Sequence, residues 1–212
     1  KTITAGVGLG FGFWVVITTL LGIRERCQGR QHPWFTLFNL PRAFVGQCIA
    51  HLGFACTVIG VVVTSFYSVD EHQRLAPGES TELAGYEFHF VNLRTYSGPN
   101  YRATQGNFEL RRDGKFIATL KPEKRLYHVR NMPMTEAGIS PGFTRDLYVS
   151  LGEPLDDGAW SVRLYFKPFV RWIWLGAILM ACGGFIAMFD PRLRSPAVAR
   201  TEAVADTSSA KR

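Results

Sequence analysis

Three long apolar runs dominate the pattern of hydrophobic and polar positions along this chain. They are ITAGVGLGFGFWVVITTLLGI (3–23), AFVGQCIAHLGFACTVIGVVVTSF (43–66) and PFVRWIWLGAILMACGGFIAMF (168–189). Each run has more than 20 residues, and a helix needs about 20 apolar residues to cross roughly 30 Å of hydrocarbon. We therefore predict transmembrane helices at 1–23, 43–66 and 168–189.

The segment between the second and third runs, residues 69–167, has the alternation of β-strands. In YEFHFVNL (86–93), Tyr86, Phe88 and Phe90 fall on one face of the chain. A period of two indicates a strand with one buried face. Residues 69–167 are therefore expected to form a domain of strands.

A hairpin signal lies in NFELRRDGKFIATL (107–120), where Asp113-Gly114 suits the two positive-φ positions of a tight turn. Further strands are expected at 126–130 and twice within 146–166, the last with Trp160, Val162, Leu164 and Phe166 inside. About five or six short strands separated by turns are typical of a small antiparallel barrel or sandwich. The predicted fold class is an α-helical transmembrane bundle of three spans with an exported β-domain of this kind.

The distribution of charge predicts which parts face which side of the membrane. The 24–42 segment carries four arginines against one glutamate, and residues 190–212 carry five basic and three acidic residues. Residues 69–167 hold 13 charges of each sign. Because short positive segments stay in the cytoplasm, we predict that the 24–42 loop and the 190–212 tail are cytoplasmic. The β-domain at 69–167 is then periplasmic. The net charge of +7 then reflects topology and does not favour nucleic-acid binding.

The composition of the tail and of the β-domain adds two expectations. The tail is rich in Ala, Ser and Thr, and we expect it to be largely disordered. All four cysteines lie outside the β-domain, at Cys27, Cys48, Cys56 and Cys182. The β-domain therefore has no internal disulfide and depends on a packed core.

Motif searches exclude several classes of protein. The chain has no C-x-x-C-H, no Gly-rich phosphate loop and no nucleophile elbow, which argues against a c-type cytochrome, an ATP-driven protein and a conventional hydrolase. Cys48 and His51 form a C-x-x-H pair, but one pair without a second is weak evidence for zinc.

Small residues spaced four apart predict close helix packing in each run. The first run has glycines at positions 6, 8, 10 and 12, and the others contain the pairs Gly46/Ala50 and Ala177/Ala181. Small residues let helix backbones approach closely in lipid, where no hydrophobic force drives association. We expect these faces to contact other helices.

His51 is the strongest functional signal, because an ionisable side chain inside a membrane span is costly and marks a functional site. It lies about eight residues, or ~12 Å, from the cytoplasmic end of its helix. Phe44, Gln47, Ala55 and Val58 share its face. Imidazole binds haem iron and also relays protons. A haem or metal ligand, a proton relay and a hydrogen-bonded packing histidine all stay open.

The remaining candidates are weaker. Lys167 and Arg171, four residues apart at the outer end of the third run, are candidates to hold carboxylates such as haem propionates, or lipid phosphate. The Met-Pro-Met within 131–139 offers soft metal ligands, although we expect a loop packed on the β-core. The other histidines are expected to be solvated or locally bonded: His32, His72, His89 on an outward strand face, and His128 in mid-strand.

The start of the chain suggests that partner helices lie elsewhere. The first residue is not methionine, and the first run begins almost at residue 1. Three helices surround a ligand poorly. We therefore expect a fragment or a subunit that shares its site with other protein.

Several motifs together resemble the C-terminal third of the CcmF family. They are HPWFTLFNLPR, the His51 helix with G-x-x-x-A-H-L-G, MPMTEAGI, FTRDLYVSLGEPLDDGAWSVRLYFKPFVRWIWLGA and a closing GG-x-x-x-x-x-D-P-R. CcmF is the haem lyase subunit of the cytochrome c maturation system and is related to nitrite reductase assembly proteins. The likeness extends to about residue 194.

The resemblance implies a multi-pass protein of the bacterial inner membrane that attaches haem to the C-x-x-C-H thiols of apocytochrome c. Haem is then the transferred substrate, and a resident haem b between two transmembrane histidines keeps the delivered haem reduced. His51 matches one of these two histidines. The other one, the tryptophan-rich haem-presenting segment and two periplasmic histidines lie upstream in the family, so this chain alone is expected to be inactive.

The resemblance also implies partners. They are a periplasmic haem chaperone, apocytochrome c, a thiol-reducing apocytochrome chaperone and the remaining N-terminal portion of the haem lyase. A non-enzymatic alternative stays open, in which a membrane-tethered β-domain only docks the haem chaperone or apocytochrome.

Overall fold

A computed structural model describes residues 2–28, 40–129 and 132–191. Most of the predicted loop, with nearly all of HPWFTLFNLPR, and most of the predicted tail lie outside these residues, so both remain predictions. The chain divides into two compact units. The first consists of Lys1–Leu9 with Thr57–Trp174, and the second of Gly10–Cys56 with Leu175–Arg212.

Three helices within the described residues are long and apolar enough to cross a membrane, as predicted: α1 (Thr2–Cys27), α2 (Arg42–Tyr67) and α3 (Val170–Met188). Helix α1 continues past the predicted end at residue 23 because Arg24, Glu25 and Arg26 favour helix and the basic side chains suit a helix C-terminus. Helix α3 starts two residues later than predicted because Pro168 ends a strand.

The β-domain is antiparallel throughout its described residues. Its strands are β1 (Val69–Leu75), β2 (Ser80–Leu83), β3 (Tyr86–Ser97), β4 (Tyr101–Arg112), β5 (Lys115–Leu120), β6 (Glu123–Tyr127), β7 (Pro133–Glu136), β8 (Gly138–Ser140), β9 (Arg145–Pro154) and β10 (Trp160–Pro168). One sheet has the order β1-β10-β9-β8, and the other has the order β2-β3-β4-β6-β7, with β5 beside β4. The predicted antiparallel β-domain is confirmed as a sandwich of two curled sheets.

The core of the β-domain lies between the two sheets, on the faces that the alternation predicts. Phe88, Phe90, Val162 and Leu164 are fully buried. The Phe90 ring stacks on Phe108 at a centroid distance of 4.4 Å and an interplanar angle of 8°. Burial of each such side chain stabilises the fold by roughly 1.5–3 kcal/mol, which is how a domain without disulfides is held together. Trp160 and Phe166 also face the core but are only partly buried.

The prediction of a hairpin is confirmed, whereas the prediction of a loop at 131–139 is wrong. Asp113 and Gly114 have φ values of 50° and 72° and join β4 to β5. In place of a loop, β7 pairs with β6 in one sheet and β8 pairs with β9 in the other, because β6 and β9 offer free edges there. Only Ala137 separates the two short strands. His128 is in an exposed turn and not in mid-strand, because β6 already ends at Tyr127.

The β-domain begins and ends in adjacent strands. Helix α2 leads into β1 and β10 leads into α3, and Val69 of β1 lies opposite Phe166 of β10. In the same unit, the Thr64 hydroxyl donates a hydrogen bond to the Pro168 carbonyl at 2.7 Å. The two chain crossings between helix and sheet are thus held side by side.

Glycines seven residues apart set the contact between α2 and α3 within each unit. In the second unit, a Cβ added at Gly53 would lie 2.7 Å from the Gly176 oxygen, and one at Gly183 would lie 2.5 Å from the Gly46 oxygen. In the first unit, a Cβ added at Gly60 would lie 3.0 Å from Ile173. A repeat of seven is the seam of two helices that cross at a shallow angle.

This seam confirms part of the sequence prediction. Gly46 lies in the contact as expected, with Ala50 against Gly183. Ala177 and Ala181 are exposed, because they lie on a different face of α3 from the glycines that form the seam. In α1, a Cβ added at Gly8 would lie 2.6 Å from the Val62 side chain of α2, as close packing predicts, whereas one at Gly6 or Gly10 would meet nothing within 4 Å.

An aspartate that follows α3 caps the N-terminus of α2. The Asp190 carboxylate is 2% exposed, and its Oδ2 accepts a hydrogen bond from the backbone N–H of Ala43 at 2.7 Å. The first N–H groups of a helix have no partner inside it, and a carboxylate there also complements the helix dipole. The Asp190 of the D-P-R motif therefore fixes α2 against the end of α3.

Gly183 and the adjacent Gly184 provide a matched test of the seam. We expect Gly183→Ala to destabilise the protein by about 1–3 kcal/mol, because the new methyl group needs the two backbones to move apart. Gly184→Ala should be neutral or slightly stabilising, since nothing lies within 4 Å of its added Cβ and alanine favours helix. Unfolding of the purified protein by SDS in mixed micelles, followed by circular dichroism, measures both. Equal stabilities would contradict the seam.

Candidate functional site

His51 lies in the first half of α2 and is bonded within its own helix. Its Nδ1 is 2.9 Å from the Gln47 carbonyl oxygen, four residues earlier. Because a carbonyl oxygen only accepts, this bond places the proton on Nδ1 and leaves the lone pair of the neutral ring on Nε2. The ring thus finds a hydrogen-bond partner within its own helix. The exposed imidazole can therefore act as a ligand through Nε2.

The His51 ring lines an open cavity of about 210 Å³ within the second unit. Of the flanking residues expected from the sequence, Phe44 and Gln47 line it, whereas Ala55 is fully buried elsewhere. This volume is below the roughly 300–1,000 Å³ of typical small-molecule pockets. The cavity residues are Thr18, Thr19, Gly22, Phe44, Gln47, Cys48 and His51.

The wall that α1 contributes was not found by sequence analysis. The Thr18 hydroxyl donates to the Trp14 carbonyl at 2.9 Å, and the Thr19 hydroxyl donates to the Val15 carbonyl at 2.7 Å. Because both hydroxyls are satisfied by their own helix, the wall offers little competing polarity to a ligand. Threonines at these positions carry no sequence signal that separates them from ordinary membrane-helix residues.

The chemistry of this cavity is that of one neutral nitrogen ligand beside an aromatic wall. No group of three or more His, Cys, Asp or Glu side chains able to hold a metal ion occurs among the described residues. A free ion would therefore find only two such side chains among the cavity residues, Cys48 and His51. A macrocycle that brings its own equatorial ligands needs a nitrogen ligand and an apolar surface. His51 offers the nitrogen, and Phe44 offers an aromatic ring, one face of which is covered by the Arg26 guanidinium at 4.0 Å.

Lys167 and Arg171 are not among the residues that line this cavity. Lys167 belongs to β10, so it does not share a helical face with Arg171 as the spacing suggested. Its Nζ lies 5.5 Å from the centre of the Tyr165 ring. The Arg171 Nε donates to Oδ1 of the buried Asp146 at 3.1 Å. Arg171 thus already has a carboxylate partner within the β-domain unit.

A polar cluster around Glu123, which is 8% exposed, was also not found by sequence analysis. Its carboxylate accepts hydrogen bonds from Tyr96 at 2.8 Å, Gln105 at 2.5 Å and Arg125 at 2.8 Å. Burial alone would raise the pKa of Glu123, but these bonds outweigh it and the pKa is lowered. The bond to Glu123 raises the pKa of Tyr96 to about 12. The cluster joins β3, β4 and β6 and stabilises the sheet.

The other histidines and methionines give no second site among the described residues. His89 bonds the Ser80 hydroxyl through Nδ1 at 2.9 Å, a local partner on an adjacent strand. His72 is exposed on β1. Met132 and Met134 are 59% and 53% exposed and point away from the core.

Comparison with known proteins identifies the β-domain. The family described as CcmF C-terminal beta-sandwich matches residues 66–168. Residues 66–168 belong to this CcmF family. The resemblance expected from the sequence motifs is thereby confirmed.

Relatives extend the likeness beyond the CcmF β-sandwich. The chain is 50% identical over 183 residues to the cytochrome c-type biogenesis protein CcmF of Pseudomonas aeruginosa, an alignment that covers 85% of this chain and 27% of that protein. It is 41% identical over 201 residues to CcmF of Escherichia coli, covering 93% and 30%. The chain thus spans less than a third of the length of these relatives.

A solved structure shares the fold. The protein named cytochrome c heme lyase CcmF superposes with a TM-score of 0.73 at 20% identity, over 89% of this chain and 31% of that one. At this identity the likeness concerns the fold, with its membrane helices and β-sandwich.

The Glu123 cluster makes the stability of the CcmF β-sandwich depend on pH. The folded pKa of Glu123 lies below its ordinary value of 4.5, so the ionised carboxylate stabilises the fold above pH 4.5 and this stabilisation is lost as the pH falls through the folded pKa. We expect Glu123→Gln to remove that part of the acid dependence. Urea midpoints between pH 7 and 3 measure it.

The matched control is Asp156→Asn in the exposed turn after β9, which should leave the acid dependence unchanged. An acid dependence in Glu123→Gln as steep as in the parent protein would contradict the assignment.

Proposed function

We propose that this chain is part of a membrane haem lyase that attaches haem to apocytochrome c, and that His51 is an axial ligand of a b-type haem. The observation that supports this most directly is the Nδ1–H bond to the Gln47 carbonyl, which leaves the Nε2 lone pair available to bind iron. The name of the solved relative, cytochrome c heme lyase CcmF, supports the class of activity.

The residues around His51 have separate roles in this proposal. The Gln47 carbonyl fixes the imidazole tautomer and increases the electron density at Nε2, as second-layer partners of ligand histidines do. Phe44 and the α1 residues that line the cavity would contact the haem through a mainly apolar surface. The haem supplies one-electron redox chemistry when bound, and we propose that it keeps the delivered haem reduced. The second axial ligand would come from the remaining portion of the lyase.

A neutral ligand suits the membrane position of His51. A charged group in low dielectric costs several kcal/mol unless it is paired. The imidazole contributes no charge while Nδ1 stays protonated and Nε2 is bound. We infer that α2 holds a ligand that a carboxylate at the same depth could not replace.

The β-domain would act in recognition. We propose that it contacts the periplasmic haem chaperone, apocytochrome c and the thiol-reducing apocytochrome chaperone. Its lack of cysteines supports this, because no thiol of the domain competes with those of apocytochrome c. In the alternative, the β-domain docks the same partners and the chain takes no part in haem chemistry. The two proposals therefore differ in the role of His51.

We propose that the β-domain is periplasmic and the C-terminal tail cytoplasmic, and this orientation can be tested in spheroplasts. With the native cysteines replaced, we expect a single cysteine at the exposed Ser97 to react with a membrane-impermeant thiol reagent, and one at Arg194 to react only after lysis. We expect this pattern because the excess of arginine in the 24–42 segment keeps that segment in the cytoplasm, which places the β-domain on the other side. Labelling of position 194 without position 97 in intact spheroplasts would reverse the topology.

The haem proposal predicts a spectroscopic loss. We expect His51→Gly in the intact lyase to lose most of the b-type signal in reduced-minus-oxidised spectra, because one axial bond to the iron is removed. Added imidazole should restore part of that signal by entering the space of the deleted ring.

His89→Ala in the β-domain and Cys48→Ala beside His51 are the matched controls, and both should retain the haem signal. Unchanged haem content in a correctly inserted His51→Ala protein would reject the ligand assignment and favour the docking alternative.

A further inference from the structure

The length of α3 places its first turn at the edge of the bilayer. The helix has 19 residues, which at 1.5 Å per residue is roughly 28 Å, barely the ~30 Å of the hydrocarbon core. A helix of this length spans only if both of its ends lie at the boundary with the headgroups. Residues 170–172, and whatever is in contact with them, must therefore lie at that boundary.

The loop between β8 and β9 is fastened to this first turn. The indole Nε1 of Trp172 donates to the Phe143 carbonyl at 3.2 Å, and the two rings lie 5.7 Å apart. The backbone N–H of Phe169 donates to the Thr144 carbonyl at 2.9 Å. These bonds join the backbone of the loop to the start of the helix, so the loop must share its depth.

The side chain of Phe143 has no place in the core of the domain. It is 69% exposed and forms an aromatic cluster with Trp172 and Phe169, whose rings are 4.8 Å apart. Phe169 has a φ of 56°, a strained value for a residue with a side chain. The chain thus turns sharply from β10 into α3 while it keeps three aromatic rings at one level. Aromatic rings are enriched at the membrane interface.

Basic side chains accompany these rings. Arg145, two residues after Phe143, donates from Nε to the Tyr86 hydroxyl at 3.1 Å, and Arg112 donates to the same oxygen at 2.9 Å. The ion pairs of the described residues include no carboxylate partner for Arg145. Arg112 already pairs with the Asp113 carboxylate at 3.8 Å, so Arg145 is the guanidinium of the two that is suited to lipid phosphate.

We propose that residues 141–145 are an interfacial membrane anchor of the β-domain, with the Phe143 ring inserted among the lipid headgroups and Arg145 in contact with lipid phosphate. The anchor attaches the domain to the membrane in addition to the two adjacent chain crossings at α2 and α3. It rests on α3 as a membrane span and does not depend on haem binding at His51.

The test uses nitroxide labels on the full chain in phospholipid nanodiscs, with the native cysteines replaced. Thr144→Cys places a label beside an intact Phe143, and Val129→Cys is the control. Val129 is 92% exposed and follows β6 at the Tyr101 end of β4, roughly 35 Å along that strand from Arg112 at 3.3 Å per residue. Power saturation compares collisions with oxygen, which concentrates in lipid, and with a water-soluble nickel chelate.

We expect the ratio of oxygen to nickel collisions to be several-fold higher at position 144 than at position 129. Adding Phe143→Asp should lower the ratio at 144 towards that at 129, whereas Phe143→Leu should preserve it. Phosphatidylglycerol should raise the ratio at 144 above that in phosphatidylcholine, and Arg145→Gln should abolish this increase. Equal ratios at 144 and 129, with the β-sheet circular dichroism intact, would overturn the anchor. An Asp variant without effect would overturn the role of Phe143.

Discussion

The close approach of two helix backbones at the α2–α3 seam is the constraint on which the other features depend. An α-helix in lipid gains little from burying apolar side chains against another helix, so contact requires that the backbones come near enough for dispersion and weak polar contacts to act. Gly46 and Gly53 permit this against Gly183 and Gly176. Asp190 fixes the register by capping α2 from the end of α3. A side chain at any of these glycines would separate the helices.

The seam also determines where His51 points. Successive residues of a helix turn by about 100°, so His51 lies roughly 140–160° from both Gly46 and Gly53 around α2. Its imidazole is therefore turned away from α3 by the same geometry that brings α3 close. What meets the ring is the wall of α1 and the space beyond it, where the proposed second ligand would have to enter. The depth of His51 follows from its position in the sequence, but its direction follows from glycines on the opposite face.

Sequence reasoning succeeded where a local pattern has one physical outcome. Phe88 and Phe90 are buried because a strand has a period of two, and Asp113-Gly114 turns because both residues accept a positive φ. It failed where partners are distant in the chain. β7 and β8 are too short to show alternation and exist because β6 and β9 offer free edges. The α1 wall of the cavity and the Glu123 cluster likewise arise only from tertiary contact.

The sequence could identify His51 as unusual but could not say how the ring is satisfied. The Gln47 carbonyl that accepts from Nδ1 is available in any helix, since a histidine can bond the carbonyl four residues earlier. Because of that local bond, a deeply placed histidine does not need a partner on another helix or an iron atom to satisfy its ring. It supports a ligand role in another way, because it fixes the tautomer in which Nε2 keeps its lone pair.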